Sequence, residues 1–399
     1  MDNKVVYTFQ YKNPTSANVY LWLATPPDTK HQQVMNEKKT PPCQTNEDTI
    51  GNQINFYEIK PNETIKASYK IQLLNNTEDT LPELTQEEKN YYLRSTPMVC
   101  VNEEVRDIAS LVTKGVENPK EQAKLLFFYI VKNYKYKFPP KARGVTHFLK
   151  SKKGDCGEFS FLFAALCRAI EIPCRIMVGA FTGGNHRAHV WNEIYLEQEG
   201  WIPVDTSMAA TVKRQLWRYF FSPFQTLFWK TYFGKTEHQR IVFSIDTEHQ
   251  PVPAYPKAIV QNKQPYSPFD IAGEPFIWGK DLVQNKIPYF QPMYLYYEDQ
   301  KPLKDRTENF LGLWNVQETG KQKLTLLVRS ISGYIALLFA IFYFSTNWDL
   351  LSILFPFPAF LFCLSFVIRK ERVLFFSFAT VFFGIIMLLV SMGAISTIL

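Results

Sequence analysis

The sequence is poor in cysteine, and the six it has make no pattern. Cys43, Cys100, Cys156, Cys167, Cys174 and Cys363 are scattered over 399 residues, without the dense pairing of a small disulfide-stapled domain. None stands in the C-x-x-C spacing of structural zinc: Cys156, Cys167 and Cys174 are eleven and seven residues apart, which argues against a metal cluster. Charge is also sparse. Charged residues make up 20% and the net charge is +7, too modest to point to a nucleic-acid partner. Nor does an apolar run open the chain: Met1-Asp2-Asn3-Lys4 leads straight into a strand pattern, so no secretory signal is expected there.

The most informative segment present is Gly154-Asp155-Cys156-Gly157-Glu158-Phe159. From Asp155 to Cys167 the apolar residues Phe159, Leu162, Phe163 and Leu166 recur at helical spacing. Asp155 is a good N-cap, which puts Cys156 in the first turn. Unpaired N–H groups and the positive end of the helix dipole are expected to favour a thiolate there. The same N–H groups could bind an oxyanion formed as the thiolate attacks a carbonyl carbon.

A base and a carboxylate follow on what reads as one hairpin. In Ala188–Tyr195, His189, Trp191 and Glu193 alternate with Val190, Asn192 and Ile194. Glu197-Gln198-Glu199-Gly200 supplies a turn, and Trp201–Val204 runs back to Asp205. Antiparallel pairing would bring His189 and Asp205 within reach, and such an acid fixes the tautomer of a base that serves a cysteine nucleophile.

These residues resemble the transglutaminase-like superfamily of papain-related cysteine enzymes, in the manner of a bacterial-type membrane-anchored member. The matching segments are 154–181, His189-Val190-Trp191-Asn192-Glu193 and 200–207, with a helix from Asn118-Pro119 to Tyr134 upstream. Tyr232-Phe233-Gly234 and Arg240-Ile241-Val242-Phe243 extend the match downstream, so that it covers roughly residues 90–250. The resemblance implies Cys156 as nucleophile, His189 as base and Asp205 as orienting acid. No calcium loop is recognisable, so neither a metal nor another cofactor is implied. Cys167 and Cys174 read as buried small hydrophobes, His186 as a loop residue after Gly183-Gly184-Asn185, and Glu158 and Glu193 as framework hydrogen-bonding groups.

The expected fold class is α+β. Residues 1–90 alternate in short runs between Pro- and Asn-rich turns, the pattern of an antiparallel β domain, a sandwich. Residues 91–250 form the transglutaminase-like catalytic domain, a cysteine-bearing helix on an antiparallel sheet. Residues 251–320 read as an irregular linking or packing region. The basic, aromatic stretch from Lys213 to Lys230 reads either as a membrane-interface segment or lid, or as an insertion packed on the core.

The last 75 residues change character. Leu324–Thr346, Leu350–Ile368 and Val373–Ile395 are apolar stretches near the ~20 residues that span a bilayer, so three transmembrane helices are expected within 324–396. Pro356 and Pro358 should kink the second, and Arg329 should snorkel to the headgroups. Lys321, Lys323 and Arg329 precede the first stretch, and Arg369, Lys370 and Arg372 follow the second. By the positive-inside rule this puts the N-terminal 320 residues in the cytoplasm.

The expected reaction is thiolate attack on an amide carbonyl, forming a thioacyl-enzyme that resolves to water or an amine. The expected partners are a protein or peptide substrate bearing an amide, and the lipid bilayer. The alternative is a non-catalytic membrane-anchored binding or assembly protein on the same fold.

Overall fold

A computed structural model describes residues 3–74, 83–182, 187–214, 228–237, 239–256, 269–271, 274–276, 282–298, 311–317, 320–346, 354–369 and 373–391. The chain divides into two compact units, one of 1–214 with 229–317 and one of 215–228 with 318–399.

The first unit begins with strands β1 (Asn3–Lys12), β2 (Val19–Ala24), β3 (Gln32–Thr40), β4 (Gln44–Glu47), β5 (Gln53–Ile59) and β6 (Thr64–Leu73). Their period-2 patterning sets the inward face: along β6, Ile65, Ala67, Tyr69, Ile71 and Leu73 are buried and alternate with more exposed residues. β1 runs antiparallel to β6 from Asn3↔Leu73 to Lys12↔Thr64, which keeps Val5, Tyr7 and Phe9 on that same buried face.

The stretch expected to be irregular contributes to both sheets. Strands β16 (Met293–Tyr297) and β17 (Leu313–Gln317) pair antiparallel with β2 and β1. They complete the four-stranded orders β16-β2-β5-β4 and β17-β1-β6-β3. One apolar cluster joins the two sheets and takes in Ala180, Ile241 and Phe243 from the sheet described next.

That sheet has the order β12-β11-β10-β13, all antiparallel, from β10 (Cys174–Phe181), β11 (Arg187–Leu196), β12 (Gly200–Val204) and β13 (Arg240–Ile245). Helix α5 (Cys156–Ala169) lies on β10 and β11. It is buried on every side from Gly157 to Arg168, which is why its sequence is apolar around its whole circumference rather than along one stripe. Phe159, Phe161 and Phe163 are fully buried, each contributing roughly 1.5–3 kcal/mol. Around α5 stand α1 (Gln86–Leu93), α2 (Glu103–Thr113), α3 (Pro119–Asn133), α4 (Val145–Ser151) and α6 (Thr206–Arg214). Short pairings finish the unit: β7 (Lys135–Tyr136) lies parallel to β9 (Lys153–Gly154), and β8 (Ala142–Arg143) beside β14 (Phe269–Ile271), which pairs with β15 (Glu274–Phe276).

The second unit contains helices α7 (Gly320–Thr346), α8 (Pro356–Ile368) and α9 (Val373–Ser391). Among the described residues one helix is long and apolar enough to cross a membrane, Gly320–Phe342, with a mean hydropathy of 1.9. Pro356–Ile368 and Phe375–Val390 are shorter apolar helices, so the described residues support one of the three expected spans. At 1.5 Å per residue the 13 residues of α8 extend only ~20 Å, against ~30 Å of hydrocarbon.

The prolines do not kink this helix as expected. They occupy its first turn, where a missing N–H costs nothing. Within the unit the Gly333 backbone lies against the Phe362 ring, and Phe366 stacks on Phe376 with ring centroids 3.8 Å apart. Leu324, Leu337, Phe378 and Val381 present exposed apolar surface. Arg329 reaches across to α8, donating from Nε to Ser365 Oγ at 3.0 Å and lying over the Phe366 ring.

Candidate active site

Three local devices converge at the start of α5. Asp155 is its N-cap, with extended backbone dihedrals and a side chain that accepts from Gly157 N–H at 2.8 Å. Glu158 closes the capping box by accepting from Asp155 N–H at 3.2 Å. Cys156 is therefore the first helical residue, as the sequence implies, and it is half-buried.

The third device, Arg143, has no local signal in the sequence. Its guanidinium grips Asp155 at 3.2 and 3.0 Å and Glu158 at 3.2 Å, all three side chains being buried. Burial alone would raise Asp155, but Arg143 holds it below the usual carboxylate range. Burial and the adjacent Asp155 push Glu158 well up. The buried cluster thus sets two carboxyl groups against one guanidinium. Gly157 lets it assemble, since a Cβ there would meet Arg143 Nη1 at 3.0 Å and Asp155 Oδ1 at 3.2 Å.

This environment works against the stabilised thiolate expected from the helix position. Burial, and after it the Asp155 charge, push the Cys156 thiol well up, while the Val190 N–H and Arg143 pull it partly back. The Val190 contact matters for a second reason. It places the sulfur against the residue that follows His189, so the helix terminus and β11 meet there. Tyr136 and Tyr289 also stand near Cys156. Tyr136 is 45% exposed, and Tyr289 is buried against Phe161.

His189 lies on β11 opposite Gly179 of β10. Its Nε2 is 2.7 Å from Asp205 Oδ2, with both side chains buried. Asp205 follows β12 and caps α6: its Oδ1 accepts from Met208 N–H and from Ser207 Oγ, each at 2.9 Å. Burial alone would raise Asp205, but His189 and Arg240 hold it far below the usual carboxylate range. Arg240 donates from Nη1 to the same Oδ2 at 2.7 Å.

Gly179 makes that approach possible. A Cβ there would sit 1.9 Å from the Ile241 carbonyl oxygen, at the point where the β10–β13 register shifts. Gln291, from the stretch before β16, donates to the backbone oxygens of Gly179 and His189 at 3.0 and 3.2 Å. The Phe181 ring covers His189 at 4.4 Å.

Other residues singled out in the sequence are placed elsewhere. Cys167 and Cys174 are fully buried. Glu193 binds Arg175 at 2.6 Å, which stacks on Trp201. His186 and most of the Lys213–Lys230 stretch lie outside the described residues.

Residues 106–206 match the family model of the transglutaminase-like superfamily. The chain carries a transglutaminase-like core. The chain shares 41% identity over 64 residues with peptide-N(4)-(N-acetyl-beta-glucosaminyl)asparagine amidase of Drosophila melanogaster, covering 16% of this chain and 9% of that protein. The amidase of the same name from Yarrowia lipolytica is 30% identical over 83 residues, 20% of this chain and 22% of that protein. The chain therefore spans only a small part of these relatives. A solved candidate cysteine protease from Cytophaga hutchinsonii is 20% identical, with a TM-score of 0.42 over 52% of this chain and 76% of that one. The transglutaminase-like core ends one residue past Asp205, so Arg240 and Gln291 lie beyond the matched segment.

Proposed function

We propose that this chain is a membrane-anchored cysteine enzyme that acts on amide bonds through a thioacyl-enzyme, with Cys156 as nucleophile, His189 as base and Asp205 as orienting acid. The observation that carries this reading is the buried His189–Asp205 pair at 2.7 Å, set beside a helix-terminal cysteine whose sulfur meets the Val190 N–H. Asp205 occupies His189 Nε2, which leaves Nδ1 to take a proton. Because burial favours the neutral thiol, the proton leaves Cys156 for His189 as the sulfur attacks the carbonyl carbon. His189 then returns it to the departing amine, and water or a second amine resolves the thioester. Backbone N–H groups at the start of α5 would donate to the oxyanion, Gly157 N–H being already held by Asp155.

The substrate class is a protein or peptide carrying an amide, a reading that the amidase relatives support. The domain reading is a β domain over 1–90 augmented by β16 and β17, a catalytic domain over 91–250, and an anchor beginning at Gly320. The catalytic side is the cytoplasm, on the basic residues flanking the apolar helices. A second reading, a non-catalytic binding module, draws on the raised Cys156 thiol.

One experiment separates the two. Purified full-length chain is incubated with glutamine- and asparagine-containing peptides and glycopeptides, with and without an amine donor, and Cys156 is examined by mass spectrometry. Acyl adducts on Cys156 that are absent in Cys156→Ala support the enzyme. Bound peptide with no adduct and no product supports the binding module.

A further inference from the structure

The buried charge chain does not stop at Asp205. Arg240 donates to Asp205 Oδ2 at 2.7 Å and, from its other side, to Glu237 Oε2 through Nε at 3.2 Å and Nη2 at 2.5 Å. The Tyr232 hydroxyl donates to Glu237 Oε1. Arg240 also lies 5.0 Å from the centroids of both the Phe181 and Trp191 rings, the two rings that flank His189. Every member of this chain is buried.

We propose that Arg240, braced by Glu237 and Tyr232, is a positioning residue of the catalytic pair: it fixes the Asp205 rotamer from which Oδ2 reaches His189 and offsets part of the charge that His189 faces. Three observations carry this. Asp205 Oδ2 is shared between His189 Nε2 and Arg240 Nη1 at equal distances. Arg240 cannot swing away without leaving both Glu237 and the aromatic slot. The guanidinium fork suits simultaneous contact with two carboxylates, whereas an ammonium would have to choose.

A bare His–Asp pair in a buried site binds the imidazole proton tightly. A fixed cation on the same carboxylate oxygen weakens that hold, so that His189 can both accept and release a proton. Arg240 touches no reacting atom and acts only through Asp205.

The groups facing His189 come from several elements. Asp205 follows β12, Arg240 begins β13, Glu237 and Tyr232 precede it, and Cys156 with Asp155 behind it comes from α5. Along β11, Glu193 shares its face and is paired with Arg175. His31 lines a small cavity with Trp191, Glu193, Glu237 and Arg240.

The inference rests on the catalytic reading above, yet its test does not require turnover. Full-length chain in detergent is labelled with ¹⁵N-histidine in the Cys156→Ala background, so that His189 titrates without the thiol. Its signal is identified by its loss in His189→Asn. Arg240→Gln removes the offsetting cation and should raise the His189 midpoint by about one pH unit. Glu237→Gln removes the anion that neutralises Arg240 and should lower the midpoint. Arg240→Lys keeps the charge but must choose between the two carboxylates, so its midpoint should fall between the parent and Arg240→Gln.

A merely structural role would move Arg240→Gln and Glu237→Gln in the same direction, and that result overturns the proposal, as does no movement in either. If Arg240→Gln does not fold, as judged by circular dichroism, Glu237→Gln decides alone: a midpoint unchanged or raised overturns it. Failure of the catalytic reading shows separately, as the absence of acyl adducts on Cys156 in the parent chain.

Discussion

His189 Nε2 and Asp205 Oδ2 lie 2.7 Å apart with both side chains buried, and this contact selects the tautomer of the imidazole. An acceptor on Nε2 keeps the proton there and leaves Nδ1 as the lone-pair nitrogen. Asp205 is itself over-determined, because Ser207, Met208 N–H and Arg240 hold it from three directions. The pair is therefore a rigid device rather than a chance surface contact.

Asp205→Asn should keep the shape of the site and lose its function. The amide no longer anchors the Nε2–H tautomer, and turnover should fall by about 10⁴-fold, the scale seen when the acid of such a triad is amidated. Stability should fall by about 3 kcal/mol, the low end for a broken buried ion pair because Arg240 keeps Glu237. Turnover of a peptide amide and the urea midpoint measure the two effects separately.

The state of the Cys156 thiol has a direct chemical readout. Since burial and Asp155 raise it, iodoacetamide should label Cys156 slowly at pH 6 and much faster near pH 9, with Cys167 and Cys174 protected in the folded chain. Asp155→Asn keeps an N-cap residue but removes the anion, so labelling at a given pH should accelerate. Rapid labelling of Cys156 at pH 6 in the unmodified chain would show a thiolate and sink this account of the resting site.

Acid should destabilise the first unit through a group far from the catalytic pair. Asp246 is fully buried between Arg94 at 2.7 Å and Arg168 at 3.1 Å. Burial alone would raise it, but Arg168 and Arg94 hold it below its ordinary value. For a carboxylate with a depressed folded pKa, the stabilisation is fully present above the unfolded value of about 3.9 and lost as pH falls through the folded value. The urea midpoint should accordingly drop below about pH 4. Asp246→Asn should cost about 3–5 kcal/mol at pH 7 and flatten that acid-side loss. An equally steep loss in the variant would assign it to other carboxylates.

Topology is tested by fusion. A reporter active only in the cytoplasm should report when joined before Lys321, and a reporter active only outside should report when joined after Leu399. That is the outcome for any odd number of crossings with a cytoplasmic first unit. A third fusion, between Ile368 and Val373, separates one crossing from three: it reports from outside if α7 alone crosses, and from the cytoplasm if all three helices do. An N-terminal unit that reports from outside would reverse the orientation while leaving the site untouched.

Much of this protein was legible from local pattern. Asp155 before an apolar 3.6-period run, the alternation around His189, and the short return to Asp205 each fix a helix start or a strand face within a few residues, and backbone geometry then dictates the rest. The alternating runs before residue 74 read as strands for the same reason. Tertiary structure decided what depends on partners distant in the chain. Gln291 reaches His189 across 102 positions, and β17 pairs Gln317 with Lys4. Arg143 and Arg240 enter the site from the two-residue strand β8 and from the first residue of β13, where their side chains carry no periodic signal. The state of the Cys156 thiol depends on more than its helix position, which is local, because desolvation depends on everything packed around the sulfur. Hydropathy counts apolar residues along the chain, whereas the length of the helix that begins at Pro356 is set by the folded backbone. Periodicity and capping are properties of neighbours in sequence, while burial of charge is a property of neighbours in space, and only the folded chain defines those.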